Sequence, residues 1–143
     1  MRVYIASSWK QAGAVRALAG RLRALGHTCY DFTDPTSRQH PSGPVPERDP
    51  AIPYRDFLSR PAWRAQMHEN RMAIQVADLV ILLLPAGSDA HADWALAVGA
   101  DIRTVVVGDP GYAGPSKVHL WADGIYPDVD TFLETDIFER PRR

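Results

Sequence analysis

The stretch from Leu79 to Leu84 constrains this chain more than any other. Six consecutive aliphatic residues, Leu79-Val80-Ile81-Leu82-Leu83-Leu84, lie between Asp78 and Pro85. The run is far short of the ~20 residues that span a bilayer. It also lacks the polar alternation of a strand with one wet face. A short strand that is apolar at every position is covered on both faces, which is the situation of a central strand in a parallel sheet.

The surrounding pattern fits such a sheet. Val3–Ala6 is short, apolar and rich in β-formers, and a polar elbow, Ser7-Ser8-Trp9, follows it. Val15, Leu18, Ala19, Leu22 and Leu25 then recur at helical spacing, with Gly26 placed to end the helix. Thr28–Phe32 reads as a second strand, so the unit is β-α-β with parallel strands and a right-handed crossover. Residues 33–53 hold six of the twelve prolines and keep neither periodicity; a loop of that length is a lid, a binding loop or an interface arm. Trp63–Ala77 reads as a helix. After the Leu79–Leu84 strand, Pro85-Ala86-Gly87-Ser88 is a turn, and Ser88 is placed to cap a helix from Asp89 to about Ala100. Thr104–Val107 is a fourth strand, Asp123–Tyr126 a short edge strand and Val129–Phe138 a closing helix. No repeat or linker divides residues 1–143.

Strands alternating with helices predict a single α/β domain with a doubly wound, flavodoxin- or Rossmann-like parallel sheet of five strands in the order 2-1-3-4-5. In that order the direction of winding reverses between the first and third strands. Ligands then bind beyond the carboxyl ends of those two strands, where Ser7, Ser8, Trp9 and the segment from Pro85 to Asp93 lie.

Composition narrows the function. Sixteen Lys+Arg against seventeen Asp+Glu give a net charge of -1, without the basic excess of a nucleic-acid-binding surface. The N-terminus reads as a strand, without a signal peptide's apolar region, and the single cysteine, Cys29, cannot form an internal disulfide. The expectation is a cytoplasmic protein with no membrane partner. Residues 1–30 carry five bases and no acid, whereas residues 121–139 carry six acids and no base. These are two solvated faces that attract each other or a second copy, or else a first helix that steers anions.

Asp89 and Asp93 are spaced i, i+4 and share a helix face, where two carboxylates work as nucleophile and acid or simply favour the first helical turn. His91 lies roughly 200° round the helix from Asp89, so Asp89-x-His91-x-Asp93 does not converge on a metal. No G-x-G-x-x-G follows the first strand and no phosphate loop occurs. No cofactor and no metal are expected. Cys29 reads as core. Trp9 and Phe32 end strands at the crevice rim, as stacking partners for a flat base or as a hydrophobic plug.

Two segments carry a family resemblance: Val3-Tyr4-Ile5-Ala6-Ser7-Ser8-Trp9, and Ala77-Asp78 through the apolar strand to Pro85-Ala86-Gly87-Ser88-Asp89-Ala90-His91-Ala92-Asp93, ending at Gly99. With Tyr30-Asp31-Phe32 they resemble the nucleoside 2-deoxyribosyltransferase-like superfamily, which comprises deoxyribosyltransferases and nucleotide N-hydrolases. The resemblance spans most of the chain outside the proline-rich loop. It implies the same 2-1-3-4-5 sheet and a retaining displacement, in which a carboxylate attacks the anomeric carbon, expels the base and is released by another base or by water. It implies a homodimer or larger assembly, since family sites are often completed by a neighbouring subunit.

By the same resemblance Asp93 stands in the nucleophile's place, one methylene shorter than the family glutamate, and Tyr4 holds it. Asp89 replaces a serine that contacts phosphate or sugar in the hydrolases. That exchange implies free nucleosides, or nucleotides whose phosphate points elsewhere. Asn70 stands where relatives often have Asp, Ala95 replaces a glycine, and Asp78 matches an acidic position at the start of the central strand. The implied catalytic set is Asp93, Tyr4 and Asp89; the implied substrate-binding set is Ser7, Ser8, Trp9, Phe32, Asn70, Asp78, Gly87, Ser88 and His91. The expected activity is cleavage or transfer at the N-glycosidic bond of a small-molecule nucleoside or nucleotide. The alternatives are a nucleotide-binding sensor on the same scaffold, without turnover, and a structural or interaction subunit.

Overall fold

In a computed structural model of the chain, residues 1–40 and 43–139 are described. Five strands, β1 (Arg2–Ala6), β2 (Thr28–Asp31), β3 (Leu79–Leu83), β4 (Thr104–Val107) and β5 (Gly124–Tyr126), form one sheet. The order is β2-β1-β3-β4-β5, and every neighbouring pair is parallel. The helices are α1 (Ala12–Ala24), α2 (Tyr54–Leu58), α3 (Pro61–Gln75), α4 (Ser88–Gly99) and α5 (Val129–Leu133). This is the sheet order expected from the sequence.

The unbroken apolar run of β3 is explained by its two neighbours. Side chains alternate across a strand. Leu79, Ile81 and Leu83 enter one core with Leu18 and Leu22 of α1 and Phe132 of α5. Val80, Leu82 and Leu84 enter the other, with Ile74 of α3 and Trp94 of α4. All five residues of β3 are buried, so each is worth about 1.5–3 kcal/mol.

Local chemistry sets the element ends. Gly26 follows α1 at φ +85°, a conformation that an L side chain resists. β2 stops at Asp31 rather than Phe32, because the Asp31 carboxylate Oδ1 accepts both the N–H and the O–H of Thr33, each at 2.8 Å, and turns the chain. In the proline-rich arm, Asp34 accepts from the Thr36 N–H at 2.9 Å and starts a single 3-10 turn, Pro35–Ser37. Residues 41 and 42 of that arm lie outside the described residues. Glu69 of α3 clips the arm down by accepting the N–H groups of Gln39 (2.7 Å) and His40 (3.0 Å).

Three expectations are corrected. The closing helix Val129–Phe138 is broken: α5 ends at Leu133, and a separate 3-10 turn covers Asp136–Phe138. The Thr135 hydroxyl donates to the Phe132 carbonyl at 2.7 Å, offering the chain a local bond in place of the next helical one. Ser88 is the first residue of α4 and not its cap; Gly87 takes the cap position and makes no side-chain bond there. Asp123 lies just before β5, its carboxylate accepting the Thr104 N–H at 2.9 Å.

The basic start and acidic end of the chain do meet, through Arg21 of α1 and Asp130 of α5. Both side chains are largely exposed, so the pair contributes little, about 0–1 kcal/mol. Phe132, by contrast, is fully buried between Tyr126 and Phe138. Phe132→Ala is expected to lower stability by about 3–5 kcal/mol, and Arg21→Ala by less than about 1 kcal/mol. Urea unfolding of the two variants checks the contrast.

Candidate active site

The site forms where the winding of the sheet reverses. β1 ends in Ser7, whose hydroxyl donates to the Leu83 carbonyl of β3 at 2.8 Å and ties the two strand ends together. Trp9 follows and packs edge-on against Phe32, the residue after β2, at 5.0 Å between ring centres. Above these ends, α4 presents Asp89 and Asp93, and α3 presents Asn70. Tyr4, Ser7, Trp9, Phe32, Asn70, Asp89 and Asp93 line one crevice of about 100 Å³. Trp9 and Phe32 also line an adjoining open cavity of about 380 Å³, together with Pro35, Arg38, Gln39 and His40 of the arm.

The centre of the crevice is a hydrogen-bonded carboxylate. The Tyr4 hydroxyl donates to Asp93 Oδ2 at 2.6 Å. The Asn70 amide donates to the same oxygen at 3.3 Å, while its own carbonyl accepts the Tyr30 hydroxyl at 3.0 Å. No described residue donates to Asp93 Oδ1. Tyr4 and Tyr30 stand opposite one another in the β1–β2 register, which places their rings in a parallel stack, 5.0 Å apart and 8° from coplanar.

Burial pushes the Asp93 carboxyl above its ordinary range, and the negative charge of Asp89 adds to this. The bonds from Tyr4 and Asn70 and the positive charge of Arg38 act the other way without cancelling it. Burial also raises both phenols, Tyr30 to about 12 and Tyr4 well above its usual value. Both tyrosines therefore stay protonated, as donors, at any ordinary pH.

Other residues singled out from the sequence lie outside the crevice. Asp78 sits at the amino end of β3, the opposite end of the sheet. There it accepts the Arg2 N–H at 2.7 Å and lies 3.5 Å from the Arg2 guanidinium. It anchors the β1–β3 pairing and cannot reach a substrate in the crevice. Ser8 caps the short turn after β1, accepting the Lys10 N–H at 3.2 Å. Gly87 and Ser88 begin α4 without lining the crevice.

His91 points off the opposite side of α4, as its helical angle predicts. Its Nδ1 lies 2.8 Å from the Gly87 carbonyl, and its Nε2 lies 2.9 Å from His119 Nε2. A carbonyl only accepts, so His91 carries its proton on Nδ1 and His119 donates across the pair. Burial, and then the neighbouring His91, lowers the His119 pKa. Nothing local in the sequence pairs residues 28 positions apart. No group of three or more His, Cys, Asp or Glu among the described residues is placed to hold a metal ion. No helix among them is long and apolar enough to cross a membrane.

Comparison with solved structures follows from this geometry. The chain matches a 2-deoxyribosyltransferase from the psychrotolerant bacterium Bacillus psychrosaccharolyticus with a TM-score of 0.71 at 14% identity, over 100% of this chain and 98% of that one. It matches a CMP N-glycosidase from Clostridium botulinum with a TM-score of 0.56 at 15% identity, over 94% and 95% of the two chains. No protein-family model matches the sequence, and no curated protein matches it. The chain shares its fold with these two proteins.

The raised Asp93 pKa has a consequence for stability. The folded chain holds this proton more tightly than the unfolded chain, so the stabilising contribution is fully present below the unfolded value of 3.8. It is lost as pH rises through the folded value. At pH 7 the ionised carboxylate is a cost. Asp93→Asn is expected to raise the melting temperature at pH 7 by roughly 2–4 °C, the shift given by about 1 kcal/mol in a chain of this size. The difference is expected to vanish below about pH 4. Thermal melts of both proteins from pH 4 to pH 8 check this; a variant less stable at every pH contradicts it.

Proposed function

We propose that this protein cleaves or transfers at the N-glycosidic bond of a nucleoside or nucleotide, with Asp93 as the nucleophile. One observation carries the reading. Two donors occupy Asp93 Oδ2, so the carboxylate is held at a fixed angle with Oδ1 left to attack. A half-buried carboxyl with a raised pKa, an orienting phenol and a second carboxylate in one crevice are the parts that a retaining displacement needs. The two structural neighbours act on glycosidic bonds of this type, as a 2-deoxyribosyltransferase and as a CMP N-glycosidase.

In this mechanism Asp93 Oδ1 forms a bond to the anomeric carbon as the carbon–nitrogen bond breaks. The bonding pair leaves with the base, which takes a proton from water. Water or a second base then attacks the same carbon and returns the Asp93 carboxylate. Asp89 and Asp93, one helical turn apart, have Cβ atoms about 5–6 Å from each other. The crevice is too small for a whole nucleoside, so the sugar sits at Asp93 and the flat base extends past Trp9 and Phe32 into the adjoining cavity.

The proposal extends to a cytoplasmic homodimer or larger assembly. Leu120, Trp121 and Ile125 are 78%, 61% and 54% exposed beside the open edge of β5, an apolar surface of the kind that a second copy covers. Light scattering that gives a monomer removes this part.

Chromatography of free base, after incubation with a panel of nucleosides and nucleotides, tests the activity. Release is expected in the wild type and a loss of about 10³-fold or more in Asp93→Asn. Tyr4→Phe is expected to lower kcat about tenfold by deleting one bond to a charged group, with KM nearly unchanged. Because Asp93 must be ionised to attack, the rate rises with pH through its raised pKa. Thermal stabilisation by a nucleotide with no base released from any member of the panel contradicts turnover and supports a sensor.

A further inference from the structure

The bonds around Asp93 do more than hold it. A carboxylate has two oxygens, and an unconstrained aspartate exchanges them by rotating about its last bond. Here Oδ2 is engaged twice, by Tyr4 from β1 and by Asn70 from α3. Tyr4 alone leaves this rotation partly open, because one hydrogen bond tolerates a broad range of angles at its acceptor. The second donor closes it.

Asn70 acts as a donor only in one of its two amide orientations. With the amide reversed, its carbonyl oxygen faces the carboxylate oxygen 3.3 Å away, lone pair against lone pair. Tyr30 opposes that reversal from the other side. Its hydroxyl donates to Asn70 Oδ1 at 3.0 Å, and burial keeps the phenol protonated. Asn70 is itself buried, which strengthens both bonds and makes an unpaired amide group costly. The rings of Tyr30 and Tyr4 are stacked, so the two routes to Asp93 are packed as one unit.

We propose that Tyr30 and Asn70 are positioning residues that select the attacking oxygen of Asp93: the chain Tyr30 O–H to Asn70, and Asn70 N–H to Asp93 Oδ2, reserves Oδ1 for the anomeric carbon. This rests on Asp93 being the nucleophile. Neither residue touches the reacting atoms. Both act through the carboxylate, which lacks the extra methylene by which a glutamate reaches further. An attacking group misplaced by about 1 Å loses roughly 10²-fold in rate, so a short nucleophile gains most from a second restraint.

The charged and titratable groups facing Asp93 are Tyr4 on β1, Tyr30 on β2, Asp89 on α4 and Arg38 on the arm, whose guanidinium carbon lies 5.6 Å over the Tyr30 ring. The relay is the only part of this set that Tyr30→Phe breaks while leaving the ring stack in place. Without its donor the Asn70 amide reverses in a fraction of molecules, Asp93 loses a bond to its ionised form, and its titration midpoint rises. Asn70→Asp places a second carboxyl against Asp93 and raises the midpoint further.

The test is titration of the Asp93 side-chain carboxyl by carbon NMR in ¹³C-aspartate-labelled wild type, Tyr30→Phe and Asn70→Asp, with Asp93→Asn assigning the signal. The Tyr30→Phe midpoint is expected about one pH unit above the wild type and that of Asn70→Asp higher still. In the base-release assay Tyr30→Phe lowers kcat about tenfold, shifts the acid limb of the pH profile upward and leaves KM within about twofold. Wild-type midpoints in both folded variants overturn the relay, as does a Tyr30→Phe variant with the wild-type kcat and acid limb. Midpoints that move as expected in a protein that releases no base from any nucleoside uphold the relay's hold on Asp93 and overturn the nucleophile's role instead.

Discussion

Much of what is distinctive about this chain converges on one half-buried carboxylate. Asp93 is held above its usual pKa by burial and by Asp89, yet two donors at one of its oxygens stabilise its ionised form. These opposing influences leave a group whose pKa stays raised and whose carboxylate points in a defined direction. An aspartate chosen for stability alone would sit at the surface or pair with a cation. Here the nearest cation acts from beyond a tyrosine ring, and the first partners are neutral donors. Neutral donors fix the angle of a carboxylate without quenching its charge.

The sheet and its helices bring four side chains from four elements to that point. Tyr4 and Tyr30 come from adjacent strands in register, Asn70 from α3, and Asp93 from α4. Their common requirement is that β1 and β3 be adjacent and parallel, and the apolar run of β3 secures this by filling both cores at once. At the far end Asp78 locks the same pair through Arg2. That acid works for the geometry of the site from the wrong end of the sheet to touch a ligand.

Much of this was legible in the residues themselves. A six-residue aliphatic run can be a strand wet on neither face, and from that the parallel sheet and its switch point follow. The i, i+4 spacing of Asp89 and Asp93 predicts a shared face, and both do line the crevice. The same helical geometry sends His91 elsewhere, and it pairs with His119. What stayed hidden depends on register or on distant contacts. Tyr30 gains its place beside Asp93's partners only because β2 pairs with β1 so that Tyr30 falls opposite Tyr4, a register that the sequence does not display. Asp78 lies at the start of the central strand, as the resemblance has it, and its pairing with Arg2 there is a distant contact that the sequence does not display. The break at Thr135 turned on one hydroxyl's bond to a nearby carbonyl.

The central claim is that Asp93 forms a covalent bond to the sugar. It is tested most directly with a nucleoside that bears fluorine at C2′ and a good leaving base, with no acceptor base added: the fluorine slows both oxocarbenium-like steps, and the leaving base keeps formation of the glycosyl-enzyme the faster one. Intact-mass measurement and peptide mapping after incubation then read the adduct. The proposed chemistry predicts a mass increase of one fluorinated sugar per chain, on Asp93, absent from Asp93→Asn. Base release with no adduct on any residue, or an adduct on Asp89 instead, contradicts it.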